Sequence, residues 1–207
     1  NTVASDNIVN ASEADAGVTV SGSTTAEAGQ IVTVTLNSPT VQTYQATVQA
    51  DGSWSINIPA ADLEALTDGS HTLTATVNDK AGNPASTTHN LAVDLTVPVL
   101  TINTIAGDDI INAAEHGQAL VISGSSTGGE AGDVVTVTLN SKTYTTTLDA
   151  SGNWSVGVPA ADVTALGSGP QTVTATVTDA AGNSDNETHT VTVNLAAPTI
   201  GINTIAT

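Results

Sequence analysis

The side chains able to do chemistry in this chain are mostly carboxylates, and they collect at turns. Asp6, Asn7 and Glu13 lie near the start, and Asp108, Asp109 and Glu115 hold the matching places further on. Asp79 with Asn83, and Asp179 with Asn183, bracket two D-x-A-G-N segments. Asp94 sits at a junction where Asn194 is its counterpart. All of these are hard oxygen donors, and a shell of about six to eight such oxygens suits Ca2+. Structural Ca2+ is therefore the expected cofactor, with Asp6, Glu13, Asp79, Asn83, Asp94, Asp108, Asp109, Glu115, Asp179 and Asn183 as candidate ligands. The same residues also make a plain β-turn, in which Asp opens the turn and Gly supplies a positive φ. Both readings stand at this point.

Other chemistries are poorly provided for. With no Cys there is neither a thiol nucleophile nor a disulfide nor a thiolate metal site. The chain has no G-x-S-x-G elbow, phosphate-binding Gly-rich loop or H-E-x-x-H. Of the four His, His89 and His189 fall at equivalent places on the last strand of each half and read as exposed strand residues. No His pair has metal-ligand spacing. Two Lys and no Arg against 20 acidic residues give a net charge of −18. That charge excludes nucleic acid as a partner, because phosphate contacts need cations, and disfavours anionic membrane surfaces. No apolar run is long enough for membrane insertion. The chain is not expected to be an enzyme. Lacking an initiator Met and a signal segment, it reads as an internal piece of a longer protein.

The elements that must position these residues are legible from repetition. VTVSGSTTAEAGQIVTVTLN at 18–37 matches LVISGSSTGGEAGDVVTVTLN at 120–140. GSWSINIPAA at 52–61 matches GNWSVGVPAA at 152–161, and NDKAGN at 78–83 matches TDAAGN at 178–183. The period is about 100 residues, and a third copy begins at NTIAT, 203–207. The copies differ by one extra residue near Gly128 and three around Pro39 to Val41, both in turns, where insertions are tolerated. The boundaries read as 1–97 for a first repeat whose first strand is truncated, 98–197 for the second, and 198–207 for the start of the next, with Pro98 and Pro198 stiffening the junctions.

Within each copy the hydrophobic period is two. Val32, Val34 and Leu36 alternate with Thr, as do Val135, Val137 and Leu139. Trp54, Ile56 and Ile58 form a second set, Leu73, Ala75 and Val77 a third, and Tyr44, Ala46 and Val48 a fourth. This is the pattern of half-buried strands. Roughly seven strands per copy around a Trp predict an all-β fold: two tandem immunoglobulin-like seven-stranded sandwiches arranged end to end. PAADLEAL at 59–66 and PAADVTAL at 159–166 predict one or two helical turns opened by Pro, with Leu63 and Leu66 closing one end of the core. In such a sandwich Asp6, Glu13 and Asp94 are expected to meet Asp179 and Asn183 across the domain junction. Asp108, Asp109 and Glu115 face the next repeat or serve the central junction instead.

The string VDLTVPVLTINTIAGDDIINAAE, with ISG, GNWSVGVPAAD and VTATVTDAAGN after it, resembles the bacterial Ig-like repeats of giant surface adhesins and biofilm-associated proteins exported by type I secretion. The resemblance covers both copies. It implies Ca2+-stiffened stalks at the bacterial cell surface or in the biofilm matrix. It also implies metal ligation by Asp94, by the Asp108-Asp109 and Glu115 segment, and by the D-x-A-G-N loop. Asn7 and Asn194 depart from that pattern, and an Asn ligates without bringing charge. The partners expected are neighbouring repeats of the same chain and, through the parent protein, other cells' adhesins or a host or abiotic surface. The alternative is a carbohydrate-binding or homophilic Ig-like module. Its only aromatic platforms would be Trp54, Trp154, Tyr44 and Tyr144, all on predicted inner faces.

Overall fold

The structure is a computed structural model and describes residues 4, 6–37 and 40–202. Pro39, within the predicted turn insertion, and the third-copy start at 203–207 lie outside the described residues. Contacts divide the chain into two units, Asn1–Val97 with Ala180–Asn183, and Pro98–Asp179 with Ser184–Thr207.

In the first unit the chain runs β1 (Ile8–Asn10), α1 (Ala11–Ala16), β2 (Val18–Ser23), β3 (Ile31–Asn37), β4 (Gln42–Thr47), β5 (Ser53–Ile58), α2 (Ala60–Leu63), β6 (Gly69–Asn78) and β7 (Pro84–Asp94). One sheet has the order β1-β7-β6-β3-β4, and β2 pairs with β5 in the other. The second unit runs β8 (Val99–Ile102), β9 (Ile110–Asn112), β10 (Leu120–Thr127), β11 (Val134–Leu139), β12 (Lys142–Thr147), β13 (Asn153–Val158), α3 (Ala160–Thr164), β14 (Gly169–Thr178) and β15 (Ser184–Asn194). Its sheets are β12-β11-β14-β15-β9 and β13-β10-β8. The described residues thus give seven strands in the first unit and eight in the second, the additional one being β8.

Alternation builds the cores. Val32, Val34 and Leu36 of β3 are buried, as are Trp54, Ile56 and Ile58 of β5, while the intervening Thr, Ser and Asn face outward. Val135, Val137, Leu139, Trp154 and Val158 repeat the arrangement. The Pro-opened segments form α2 and α3, and each crosses from one sheet to the other with Leu63 and Leu66, or Val163 and Leu166, buried beneath it. Tyr44 and Tyr144 are only half-buried, because each phenol reaches the sandwich rim. Ala75 and Val77 are also half-buried in the first unit, whereas Ala175 and Val177 are fully enclosed in the second.

Two features escaped the period-two pattern. β1 and β9 are three-residue strands that pair parallel to β7 and β15, too short for alternation to register. α1 is signalled instead by its cap. Asn10 Oδ1 accepts the Glu13 N–H at 3.0 Å and Glu13 Oε2 accepts the Asn10 N–H at 3.2 Å, a reciprocal capping box.

Candidate metal centre

Asp6, Asp79, Asp108, Asp109, Glu115 and Asp179 lie in turns or loops, whereas Glu13 lies within α1 and Asp94 ends β7, and most of these carboxylates accept hydrogen bonds from nearby N–H groups. Asp6 Oδ1 accepts from Ile8 N at 2.9 Å, and Asp108 Oδ1 from Ile110 N at 3.0 Å. Glu13 closes the α1 capping box, and Glu115 Oε2 likewise accepts from Asn112 N at 3.0 Å. Asp94 Oδ1 accepts from Thr96 N at 3.2 Å. Asp79 and Asn83 close the first D-x-A-G-N loop as a turn: Asn83 donates its N–H to Asp79 Oδ1 and its amide N–H to Oδ2, both at 2.8 Å. The Asn83 side-chain amide, then its backbone N–H, holds the Asp79 carboxyl below its ordinary value. Gly82 at φ +89° and Gly182 at +90° supply the left-handed residue each loop needs.

Asn183 differs from Asn83. It is buried, and within the first unit its Oδ1 accepts the Ala11 N–H at 2.8 Å while its Nδ2 donates to the Asp94 carbonyl oxygen at 3.0 Å. Asn10 Nδ2 donates to the Ala181 carbonyl oxygen at 3.1 Å in the same place. This Asn therefore acts as a hydrogen-bonding bracket around the backbone that carries Asp94. Asp179 lies half-buried at the head of its own loop.

The Asp109 site overturns one reading. His89 and His189 are not bare exposed strand residues. His189 Nε2 lies 2.7 Å from Asp109 Oδ1, and His89 Nε2 lies 2.9 Å from Asn7 Oδ1. Asn7 at φ 71° and Asp109 at φ 60° turn back in the left-handed region that Asn and Asp tolerate, which carries their side chains to the last strand. The Ile105 N–H, donated to Asp109 Oδ1 at 2.8 Å, and then His189 hold the Asp109 carboxyl below its ordinary value. The signal was present in the sequence: a polar residue before Ile-x-Asn and a His at the same place in each copy.

Tyr44 and Tyr144 were also missed as a polar pair with the short helices. Tyr44 Oη donates to Asp62 Oδ2 at 2.6 Å and Tyr144 Oη to Asp162 Oδ2 at 2.8 Å. Lys142 also pairs with Asp162. Partial burial and then the Asp62 carboxylate push the Tyr44 phenol well up. Partial burial and then the Asp162 carboxylate raise Tyr144 to about 12.

Among the described residues, no group of three or more His, Asp or Glu side chains lies close enough to hold an ion. The donor set nevertheless fits a hard cation in kind. These are carboxylate and amide oxygens, and an oxygen that accepts one N–H retains a further lone pair.

The fold and these acidic turns define a class: paired Ig-like sandwiches with cation-compatible loops. A family model described as a bacterial Ig-like domain matches residues 1–95 and again 105–195, so the chain belongs to the bacterial Ig-like domain family. Among solved structures, a Ca2+-stabilized adhesin with which an Antarctic bacterium reaches out and binds ice is 39% identical. That match covers 96% of this chain and 49% of the other, with a TM-score of 0.52. A 1.5-MDa bacterial ice-binding adhesin studied for host cell surface retention is 38% identical over 95% of this chain and 63% of its own, at a TM-score of 0.49. A single Ig-like domain of the M. primoryensis ice-binding adhesin is 42% identical over 48% of this chain and 99% of that domain, at a TM-score of 0.38. The chain thus spans about half the length of the first of these and under two thirds of the second. The search of curated proteins returned no match. Among the described residues, no helix is long and apolar enough to cross a membrane.

Proposed function

We propose that the chain is a pair of structural spacer repeats from a large bacterial cell-surface adhesin. The repeats work outside the cell, hold an adhesive region away from it, and support adhesion and biofilm formation. They catalyse nothing; their work is mechanical. Ca2+ is the structural ion, ligated by carboxylates of the Asp6–Glu13 and Asp108–Glu115 segments, by Asp94, and by the D-x-A-G-N loops at Asp79–Asn83 and Asp179–Asn183. Each bound ion cancels repulsion between neighbouring carboxylates, worth about 1–4 kcal/mol per close pair near a surface, and so restrains bending into a rod. The repeat boundary falls between Val97 and Pro98. The observation that carries this reading is the 39% identity over 96% of the chain to a Ca2+-stabilized adhesin.

Export through a type I route, in a cytosol poor in Ca2+, would leave the chain loose until it emerges. Neighbouring repeats are its constant partners, and other cells' adhesins or a surface are reached through the parent protein. A carbohydrate-binding reading is less well supported, because Trp54 and Trp154 are both buried and offer no stacking face. Small-angle scattering of the chain in chelator and in millimolar Ca2+ tests the mechanical claim. The expected result is a longer maximum dimension and a stiffer profile with Ca2+; superimposable profiles would overturn it.

A further inference from the structure

Strand edges are where a sandwich can meet another chain, because their outer N–H and C=O groups have no ladder partner. In the second sandwich most edges are guarded. β9 is only three residues long. On β8 the outer Leu100 N–H is taken by Asp185 Oδ2 at 2.7 Å. On β13 the Asn153 N–H donates to Asp149 Oδ1 at 2.9 Å, and its carbonyl oxygen accepts the Asp149 N–H at 2.9 Å. The remaining edge, β12, ends the five-stranded sheet with no strand beyond it among the described residues. It runs six residues as Lys-Thr-Tyr-Thr-Thr-Thr, without Pro, Gly or a carboxylate. All but the Lys are β-branched or aromatic, the types that favour strands. Its one charge, the Lys142 ammonium, is turned to Asp162.

The ladder fixes which groups β12 leaves open. Leu148, just past the strand, donates its N–H to the Asp133 carbonyl oxygen at 3.0 Å. Antiparallel bonding alternates residue by residue. Thr146, Tyr144 and Lys142 therefore point their N–H and C=O groups at β11, while Thr143, Thr145 and Thr147 point theirs away from it. All three of these Thr are exposed. The first repeat blunts the same edge: Gln49 Nε2 donates to the Thr47 carbonyl oxygen at 2.9 Å. The second repeat has Asp149 at that place, which carries no N–H to donate from its side chain.

We propose that β12 pairs antiparallel with β12 of a second copy of this chain, joining two five-stranded sheets into one across a two-fold axis. Opposed residues must share a face of the sheet, and residues with open main-chain groups must oppose one another. Centring the pair on Thr145 satisfies both and uses all three open residues. Thr145 then faces its own counterpart and Thr143 faces Thr147, each such pair exchanging two main-chain hydrogen bonds. Charge fits the same arrangement. Lys142 opens the strand and Asp149 follows its end, so the Lys142 end of each copy lies beside the Asp149 end of the other. Ser141 stands opposite Asp149, and along the seam no carboxylate faces another, in a chain of net charge −18. The surface is self-complementary, so assembly closes at the dimer. Six residues a side fall well short of the roughly 20–30 in a stable interface, so the dimer is weak.

Sedimentation velocity on the full chain in chelator, over a wide concentration range, reads the association without any contribution from Ca2+. The weight-average sedimentation coefficient should rise with concentration and level off at the dimer. Hydrogen exchange on the unaltered chain reads the register: the Thr143, Thr145 and Thr147 amides should slow as concentration rises, while the Tyr144 amide, already bonded to β11, should not change. Thr145→Asp sets two carboxylates directly opposite each other and should weaken dimerisation by about tenfold or more. Thr190→Asp makes the same charge change at an exposed position on β15, away from the edge, and should leave dimerisation as it was. A constant monomer, growth beyond the dimer, equal weakening by the two aspartate variants, or exchange at Thr145 that ignores concentration would each overturn the proposal.

Discussion

At the residue scale, the polar groups at the turns set how stability responds to pH. The Asp109 carboxyl is held low by the Ile105 N–H and by His189, so its folded value lies below its unfolded one. A group of that kind contributes stability above its ordinary value of 3.8, and the contribution is lost as pH falls through the folded value. Asn7 makes the equivalent contact with His89 without charge. Asp109→Asn should therefore lose that contribution at neutral pH and flatten the acid limb of stability, so that variant and parent converge below the ordinary aspartate range, as read by urea melts at both pH values. Tyr144 behaves oppositely. Its phenol is raised from 10 to about 12, so the stability it contributes is complete below 10 and fades as pH rises through the folded value. Tyr144→Phe should remove that alkaline loss and cost about 0.5–1.5 kcal/mol at neutral pH, by loss of the bond to Asp162. The acidic residues themselves were legible as turn residues. Their partners were not, because a contact such as Asp109 to His189 joins positions far apart in sequence, and only the strand pairing reveals it.

At the element scale, periodicity identified the strands and the Pro-opened helical turns, since burial on one face is what alternation records. It missed β1, β9 and α1, which are short and are held by tertiary pairing or by a cap. Asn10→Ala removes the α1 cap and should cost about 1 kcal/mol, measurable by chemical denaturation. Gly124 is a sharper test of how the second sandwich closes. Ala at that position would force a Cβ to within 1.9 Å of the Thr101 carbonyl oxygen and 2.7 Å of the Trp154 ring. Overpacking of this sort costs about 1–3 kcal/mol or more. We expect β8 to be expelled, so that the Leu100 amide loses its protection in hydrogen exchange and the melting temperature falls. Retained protection at Leu100 in Gly124→Ala would show that β8 does not need the glycine.

At the scale of the whole molecule, repetition and composition carried most of the information. Two family matches on one chain reflect a repeat visible by eye, and a net charge of −18 with two cationic side chains reflects a surface that must either solvate or neutralise its carboxylates. Whether neutralisation is by a specific ion was beyond the sequence, because the same Asp-x-Ala-Gly-Asn string closes a turn with its own hydrogen bonds, as at Asp79 and Asn83. The most direct test of the Ca2+ account is a thermal melt of the chain in chelator, in millimolar Ca2+ and in millimolar Mg2+. A site occupied at 100 times its Kd adds about 2.7 kcal/mol. The account predicts a rise in melting temperature with Ca2+ that Mg2+ does not reproduce and that Asp94→Ala and Asp179→Ala each diminish. Identical melts in chelator and Ca2+ would contradict it, leaving the acidic loops as plain turns of a solubilising spacer.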